Sequence, residues 1–359
     1  MVIPQRKLQP EEFLSESEKG GLIIDVRAPS EYEEGHITRA VSWPLFSDEE
    51  RAVIGTLYKQ QSRDEAVLMG LEIIGPKMKE MAEYGRKLFA ENDNKPLLVY
   101  CWRGGMRSQS VGWLLRTAGV PAFIMDGGYK AFRTFAREQF DRPLNLVVLG
   151  GYTGSAKTEI LTELAKLQGE DVVDLEGMAK HYGSAFGNLE GNVQPTSRQF
   201  SNDLYFKLRE LNAWGDKGER TRPIWFENES RKIGKVDMPE PIFSQLINSP
   251  CFEMQRTLDD RTAHLVKMYG EIDQQLLAHA FVKITPKLGG QHANEAIESL
   301  ERNDLKRAAE IALVYYDKTY NHGLSKRLST NRVEVDLRGK TPEESALYLS
   351  EFLTKYLQN

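Results

Sequence analysis

Two α/β domains in tandem are what this sequence predicts, and two loops carry the prediction. In each, an apolar strand runs directly into a glycine-rich turn. Leu97-Leu98-Val99-Tyr100 leads into Cys101-Trp102-Arg103-Gly104-Gly105, and Leu144-Asn145-Leu146-Val147-Val148-Leu149 leads into Gly150-Gly151-Tyr152-Thr153-Gly154. A helical pattern follows each turn, and strand, turn, helix is the repeating unit of a layered α/β fold. The third observation is length: 359 residues exceed one typical domain and suit two.

In the first domain, strands are predicted near Leu22–Val26, Leu97–Tyr100 and Ala122–Met125, with a long helical insertion over roughly Glu49–Ala90. Met78, Met81, Tyr84 and Leu88 recur there at helical spacing and read as packing residues. The boundary is placed at Asp141-Arg142-Pro143, where a polar helix end meets proline, giving domains 1–142 and 143–359. In the second domain, strand candidates Val172–Leu175, Pro223–Phe226 and Val333–Asp336 alternate with helical segments, and Pro342–Leu357 reads as a closing packing helix.

Several classes are disfavoured. No stretch approaches the roughly 18 apolar residues that span a bilayer, and Met1–Pro10 is polar, so a cytoplasmic protein is expected. Cys101 and Cys251 are far apart and neither sits in a C-x-x-C pair, which argues against a disulfide framework or a zinc knuckle. Cys251 reads as a small buried hydrophobe. The six histidines show no ligand spacing, so no metal held by protein side chains alone is expected. A net charge of −5 opposes coating of nucleic acid by overall basicity. The local runs Arg220, Arg222, Arg231, Lys232, Lys235 and Arg302, Lys306, Arg307 read as solvated faces.

Cys101 stands where backbone N–H groups, a helix N-terminus and two guanidinium groups converge, an environment that favours a thiolate and also suits an anion. Upstream lie Ile23-Ile24-Asp25-Val26-Arg27-Ala28-Pro29, Gly35-His36-Ile37, Ala40 and Pro44. With the cysteine loop, this order resembles the rhodanese (sulfurtransferase) family. Asp25 and Arg27 then read as a structural ion pair and His36 as a structural residue.

The second loop, from Gly151 to Thr158, spells G-x-x-x-x-A-K-T, one residue from the Walker A pattern of a P-loop. It predicts a nest of N–H groups around a diphosphate, with Lys157 adding charge and the Thr158 hydroxyl available to Mg²⁺. Ala156 replaces the motif's glycine. Its methyl group would matter if the backbone is left-handed or close to the ligand, and would cost little in a right-handed backbone. Glu227, ending the strand Ile224-Trp225-Phe226, is either a Walker B-like acid or a cap for the next segment.

Taken together, a rhodanese-like α/β domain followed by a P-loop NTPase-like α/β domain is similar to the tRNA 2-selenouridine synthase family. Cys101-Trp102-Arg103-Gly104-Gly105-Met106-Arg107-Ser108, Asp174-Leu175-Glu176, His181 with Gly183-Ser184-Ala185-Phe186-Gly187, and Glu229-Ser230-Arg231-Lys232-Ile233-Gly234 carry that resemblance, with departures at Ala156 and Tyr182. The resemblance implies S-geranylation of wobble 2-thiouridine in tRNAs for Lys, Glu and Gln by geranyl diphosphate. Selenium from selenophosphate then replaces the geranylthio group. It also implies selenophosphate and geranyl diphosphate as co-substrates, Mg²⁺ as an accompanying ion, and a selenophosphate-supplying enzyme as a partner. Cys101 would serve the selenium step, with Arg103, Gly104, Gly105 and Arg107 cradling its anion. Gly151, Gly154, Ser155, Lys157 and Thr158 would hold the diphosphate, supported by Glu227 and Arg231. The rival readings are a thiosulfate sulfurtransferase fused to an anion- or nucleotide-binding module, and a scaffold that only holds anions.

Overall fold

The computed structural model describes residues 6–181, 193–218, 220–324 and 329–358. The chain divides into two compact units, Met1–Gln139 and Phe140–Asn359, and each is α/β with a five-stranded parallel sheet.

In the first unit the strands are β1 (Arg6–Leu8), β2 (Leu22–Asp25), β3 (Val41–Ser42), β4 (Leu97–Tyr100) and β5 (Ala122–Met125). Their order, β1-β5-β4-β2-β3, puts β4 at the centre with every side chain buried. A strand buried on both faces explains the uninterrupted apolar run. The expected insertion is three helices, Asp48–Gln60, Arg63–Ile74 and Met78–Glu91. Ser62 caps the second with its hydroxyl, and Gly75-Pro76 separates it from the third. Met81 and Leu88 join the core, while Tyr84 packs edge-on against Trp43.

In the second unit the sheet order is β12-β11-β6-β8-β7. Here β6 is Leu146–Gly150, β7 Asp171–Val173, β8 Ile224–Glu227, β11 Cys251–Gln255 and β12 Arg332–Asp336. A two-stranded antiparallel hairpin is formed by β9 (Lys232–Ile233) and β10 (Val236–Asp237). Between β11 and β12 the chain inserts four helices, Leu258–Tyr269, Gln274–Leu288, Gly290–Glu301 and Leu305–Leu324. The last three share an apolar core around Phe281, Ile284 and Ile311. Parallel sheets bind ligands outside the carboxyl ends of their strands, where connections leave in opposite directions. In the second unit that place is the end of β6, flanked by β8 on one side and β11 on the other. Among the described residues no helix is long and apolar enough to cross a membrane.

Candidate active site

The first unit presents Cys101 at the end of its central strand. The thiol is 3% exposed and its Sγ lies 3.2 Å from Ser108 Oγ. Gly104 has φ +62°, and a Cβ there would stand 2.5 Å from the carbonyl oxygen of Met125, so the turn admits no side chain. The loop is tied down from β5 outward, with Tyr129 N–H donating to Cys101 O and Lys130 N–H to Trp102 O. The N–H groups of Arg103, Gly104 and Gly105 make no hydrogen bond among the described residues, so they remain donors for an anion.

Beneath the loop lies a buried ion pair. Arg27 donates to both oxygens of Asp25, and its Nη2 reaches Gly35 O. Tyr100 donates to Asp25 at 2.6 Å, and the guanidinium stacks 4.0 Å from the Tyr129 ring. These contacts join the strand that presents Cys101 to the helix that follows β5, the structural role expected for Asp25 and Arg27. His36 stacks on Tyr32 at 3.7 Å.

The two arginines of the loop part company. Arg103 is exposed with no ion pair among the described residues. Arg107, expected to cradle an anion, is instead held by Glu31, with Nη1 donating to Oε2 at 2.6 Å. An acid 76 residues upstream in sequence thus takes up its charge.

In the second unit Gly151, Gly154, Ser155, Lys157 and Thr158 all line one cavity of about 320 Å³. Lys157 Nζ donates to Gly151 O at 3.0 Å, and Ser155 Oγ donates to Tyr152 O. The loop is clamped by the helical insertion. Arg261, buried and paired with Asp317, donates to Thr153 O at 2.9 Å, and Tyr320 OH accepts from Gly151 N–H at 2.6 Å. Tyr320 in turn donates to the buried Glu253 at 2.7 Å. Cys251 is buried as expected, with its Sγ 3.1 Å from the same carboxyl group.

Glu227 is fully buried at the end of β8, beside the Thr158 hydroxyl, and accepts the Glu176 N–H at 2.9 Å. It is both neighbour to the loop and anchor for the following segment. Glu176 accepts from Thr158 Oγ1 at 3.1 Å, and Glu229 hydrogen-bonds to Glu176. Arg231 does not join this group. It is 58% exposed and pairs with Glu240, because β8 ends at Glu227 and the chain turns outward into the hairpin.

Glu176 and Glu229 enter the sequence pattern only within segments that carry the resemblance, with no site role; the spacing Asp174-x-Glu176 and Glu227-x-Glu229 after two strands is the signal that marks them. Tyr182 and residues 183–187 lie outside the described residues.

Burial drives Glu227 well above the usual carboxyl range, reinforced by the charges of Glu176, Glu229 and Asp174. Burial, with the Glu176 charge, pushes Glu229 up to about 8. Lys157 opposes the rise of Glu176, which burial causes. At neutral pH Glu229 therefore holds a proton that it shares with Glu176.

The folded state keeps that proton to pH 8 while the unfolded chain releases it near the ordinary glutamate value. Stability is thus full below about pH 4.5 and falls as pH rises toward 8. Glu229→Gln is expected to flatten that slope. The variant should be more stable than the parent at pH 8 by about 1–2 kcal/mol, since solvent in the cavity limits the effect. Urea melts at pH 4.5 and pH 8 check it, and a difference that does not grow with pH would refute it.

Among the described residues no three His, Cys, Asp or Glu side chains form a ready metal cage. The Thr158 hydroxyl with the Glu176 and Glu227 carboxyls is an all-oxygen set that suits Mg²⁺ arriving with phosphate oxygens and water.

Ala156 has φ +60° and ψ +35°, the left-handed region. That conformation costs an L-residue roughly 1–2 kcal/mol. The methyl group recovers part by packing against the sheet core, a burial worth at most about 0.8 kcal/mol. Ala156→Gly is therefore expected to stabilise the protein by about 0.5 kcal/mol and to tighten inorganic diphosphate modestly, read by thermal melts and titration. Weaker or unchanged diphosphate binding would mean that the alanine does not impair the loop.

The same cavity also has apolar lining. Phe243 and Ile247 come from the helix Glu240–Asn248, and Leu265, Met268, Tyr269 and Tyr316 from the insertion. No sequence pattern marks these residues, because they converge from three helices.

A sulfurtransferase-type cysteine loop on one parallel sheet and a P-loop on another define a rhodanese-like domain followed by a P-loop domain. Residues 9–135 match the family model described as a rhodanese-like domain, and residues 144–346 match that of the tRNA 2-selenouridine synthase AAA domain. Relatives named tRNA 2-selenouridine synthase match most of the chain. That of Nitrosomonas europaea is 32% identical, covering 85% of this chain and 89% of its own. That of Bdellovibrio bacteriovorus is 32% identical over 90% and 94%, and that of Serratia proteamaculans 32% over 94% and 93%. The chain belongs to the tRNA 2-selenouridine synthase family.

Proposed function

We propose that this protein converts 2-thiouridine of tRNA to 2-selenouridine in two steps, one on each unit. In the first, the thiocarbonyl sulfur attacks C1 of geranyl diphosphate, the allylic C–O bond breaks, and diphosphate leaves with its charge on Lys157 and the loop N–H groups. Mg²⁺, when bound with the diphosphate, supplies further charge neutralisation. The observation that carries this reading is the two-natured cavity. Its lining combines a phosphate loop, with Lys157 and Thr158, and the apolar side chains of Phe243, Ile247, Leu265, Met268 and Tyr316, as a prenyl diphosphate requires.

Alkylation turns a poor thiocarbonyl leaving group into a thioether on an electron-poor carbon. In the second step selenium from selenophosphate replaces it, geranylthiol departs, and water takes the phosphoryl group to phosphate. Cys101 serves this step, with the selenophosphate anion on the N–H groups of Arg103, Gly104 and Gly105 and near the exposed Arg103 side chain. The acceptors proposed are the wobble uridines of tRNAs for Lys, Glu and Gln, in the cytoplasm, with a selenophosphate-producing enzyme as supplier.

The test is a mass spectrum of wobble nucleosides after incubation of thiolated tRNA with the protein, geranyl diphosphate and selenophosphate. Geranylated and then selenated nucleosides are expected. Thiouridine left unchanged would overturn the reading, and cyanide-dependent thiocyanate formation from thiosulfate would favour the plain sulfurtransferase.

A further inference from the structure

The β9–β10 hairpin is too small to be stable by itself, since each strand has two residues. It is nevertheless pinned from several directions. Ile233 and Val236 are buried at 1% and 0%. Gln194 fastens it through three bonds, its Nε2 donating to Ala179 O and Ile233 O and its Oε1 accepting from Lys235 N–H. Ser197 Oγ accepts from Asp237 N–H, and Ser230 Oγ donates to Lys232 O. Gly234 makes the turn at φ +59°.

What this rigid frame holds outward is charge. Lys232 and Lys235 are exposed and have no ion-pair partner among the described residues. Four of the unit's arginines are ion-paired instead: Arg220 with Asp171, Arg222 with Glu170, Arg261 with Asp317 and Arg307 with Glu295. Lys180 is also exposed, directly after the Ala179 carbonyl that Gln194 ties to the hairpin. Two residues before Lys232, Ser230 lines the diphosphate cavity, as does Glu229. The hairpin thus adjoins the cavity lining through Ser230, whose hydroxyl donates to Lys232 O, and carries these lysines, with the exposed Asp237 opposite Lys232 in the hairpin register, on a protein whose net charge, −5, repels polyanions.

We infer that Lys232 and Lys235 grip the phosphodiester backbone of the RNA substrate and hold its uridine over the cavity. The inference rests on the proposed tRNA-modifying reaction and names the surface that presents the substrate. Lysine ammonium groups on a fixed hairpin act as point charges for phosphates, without regard to base sequence. A small anion is an inferior occupant, because Lys157 and Thr158 line the cavity and these two lysines do not. A chain of phosphates can engage both lysines while one of its bases enters the cavity.

The experiment measures tRNA binding by the full-length protein across a salt series for the parent, K232A/K235A and K79A/K87A. The last pair removes the same charge from the helix Met78–Glu91 of the first unit, where Lys79 and Lys87 pair with Glu83 and Glu91. Loss of two phosphate contacts is expected to weaken tRNA about tenfold near 0.15 M salt. It should also reduce the slope of log K against log salt by roughly 1.4–1.8. Geranyl diphosphate should bind K232A/K235A as it binds the parent, which shows the cavity to be intact. A hairpin variant with parental tRNA affinity and slope, or a control pair that loses as much, would overturn the inference. A parent protein that binds geranyl diphosphate but no tRNA would overturn the proposed reaction, and this surface with it.

Discussion

Cys101→Ser should eliminate selenouridine formation, with a loss of roughly three orders of magnitude or more, while geranylation and tRNA binding persist. The exchange is nearly isosteric. The new hydroxyl finds Ser108 Oγ at the place where sulfur lies 3.2 Å from it, so the buried site keeps a polar partner and the unit should fold. What disappears is the soft sulfur nucleophile, because a serine hydroxyl reacts poorly. Geranylated tRNA should therefore accumulate in the nucleoside mass spectrum. Parental yields of selenouridine from the variant would remove Cys101 from the mechanism.

Lys157→Ala should depress geranylation by roughly 30- to 1,000-fold, the equivalent of about 2–4 kcal/mol of transition-state stabilisation in a partly dry site. Two effects combine. The diphosphate loses a counter-charge as it departs, and Glu176 and Glu229 lose a cation that opposes the effect of their burial. The loop itself should persist, since Arg261 and Tyr320 still hold Thr153 and Gly151. Single-turnover rates with saturating geranyl diphosphate separate the chemical step from binding. Pre-geranylated tRNA should be selenated at the parental rate, and failure there would show that both reactions share one anion site.

Much of the fold was legible because apolar strands in parallel sheets leave uninterrupted runs, as in Leu97–Tyr100 and Leu146–Gly150. The strand β11 was not, because Glu253 stands in its middle and breaks the run. That glutamate is buried with hydrogen bonds from Cys251 and from Tyr320, 67 residues later. Edge strand β1, three residues with two exposed, carries no pattern to read. The two loops announced themselves through local spacing, and their glycines and lysine stand where that spacing put them.

Side-chain destinations were less legible. Arg107 and Arg231 each had an anion to find, but Glu31 and Glu240 claim them. The left-handed backbone that makes Ala156 costly depends on a dihedral the letters do not state. The apolar lining of the cavity depends on how an insertion folds back, and no periodicity encodes that meeting.

The clamp of Tyr320 on Gly151 also sets a timetable. The two residues are 169 positions apart, and translation proceeds at roughly 5–20 residues per second. The P-loop therefore leaves the ribosome on the order of 10–30 seconds before the tyrosine that secures it. The first unit, whose strands are all contained within residues 6–125, has no such wait. A nascent chain can thus carry a finished cysteine site while its phosphate loop is still unpinned, and a chain cut short before residue 320 would never pin it. Order of manufacture runs opposite to order of use: the domain proposed to act second is the one completed first.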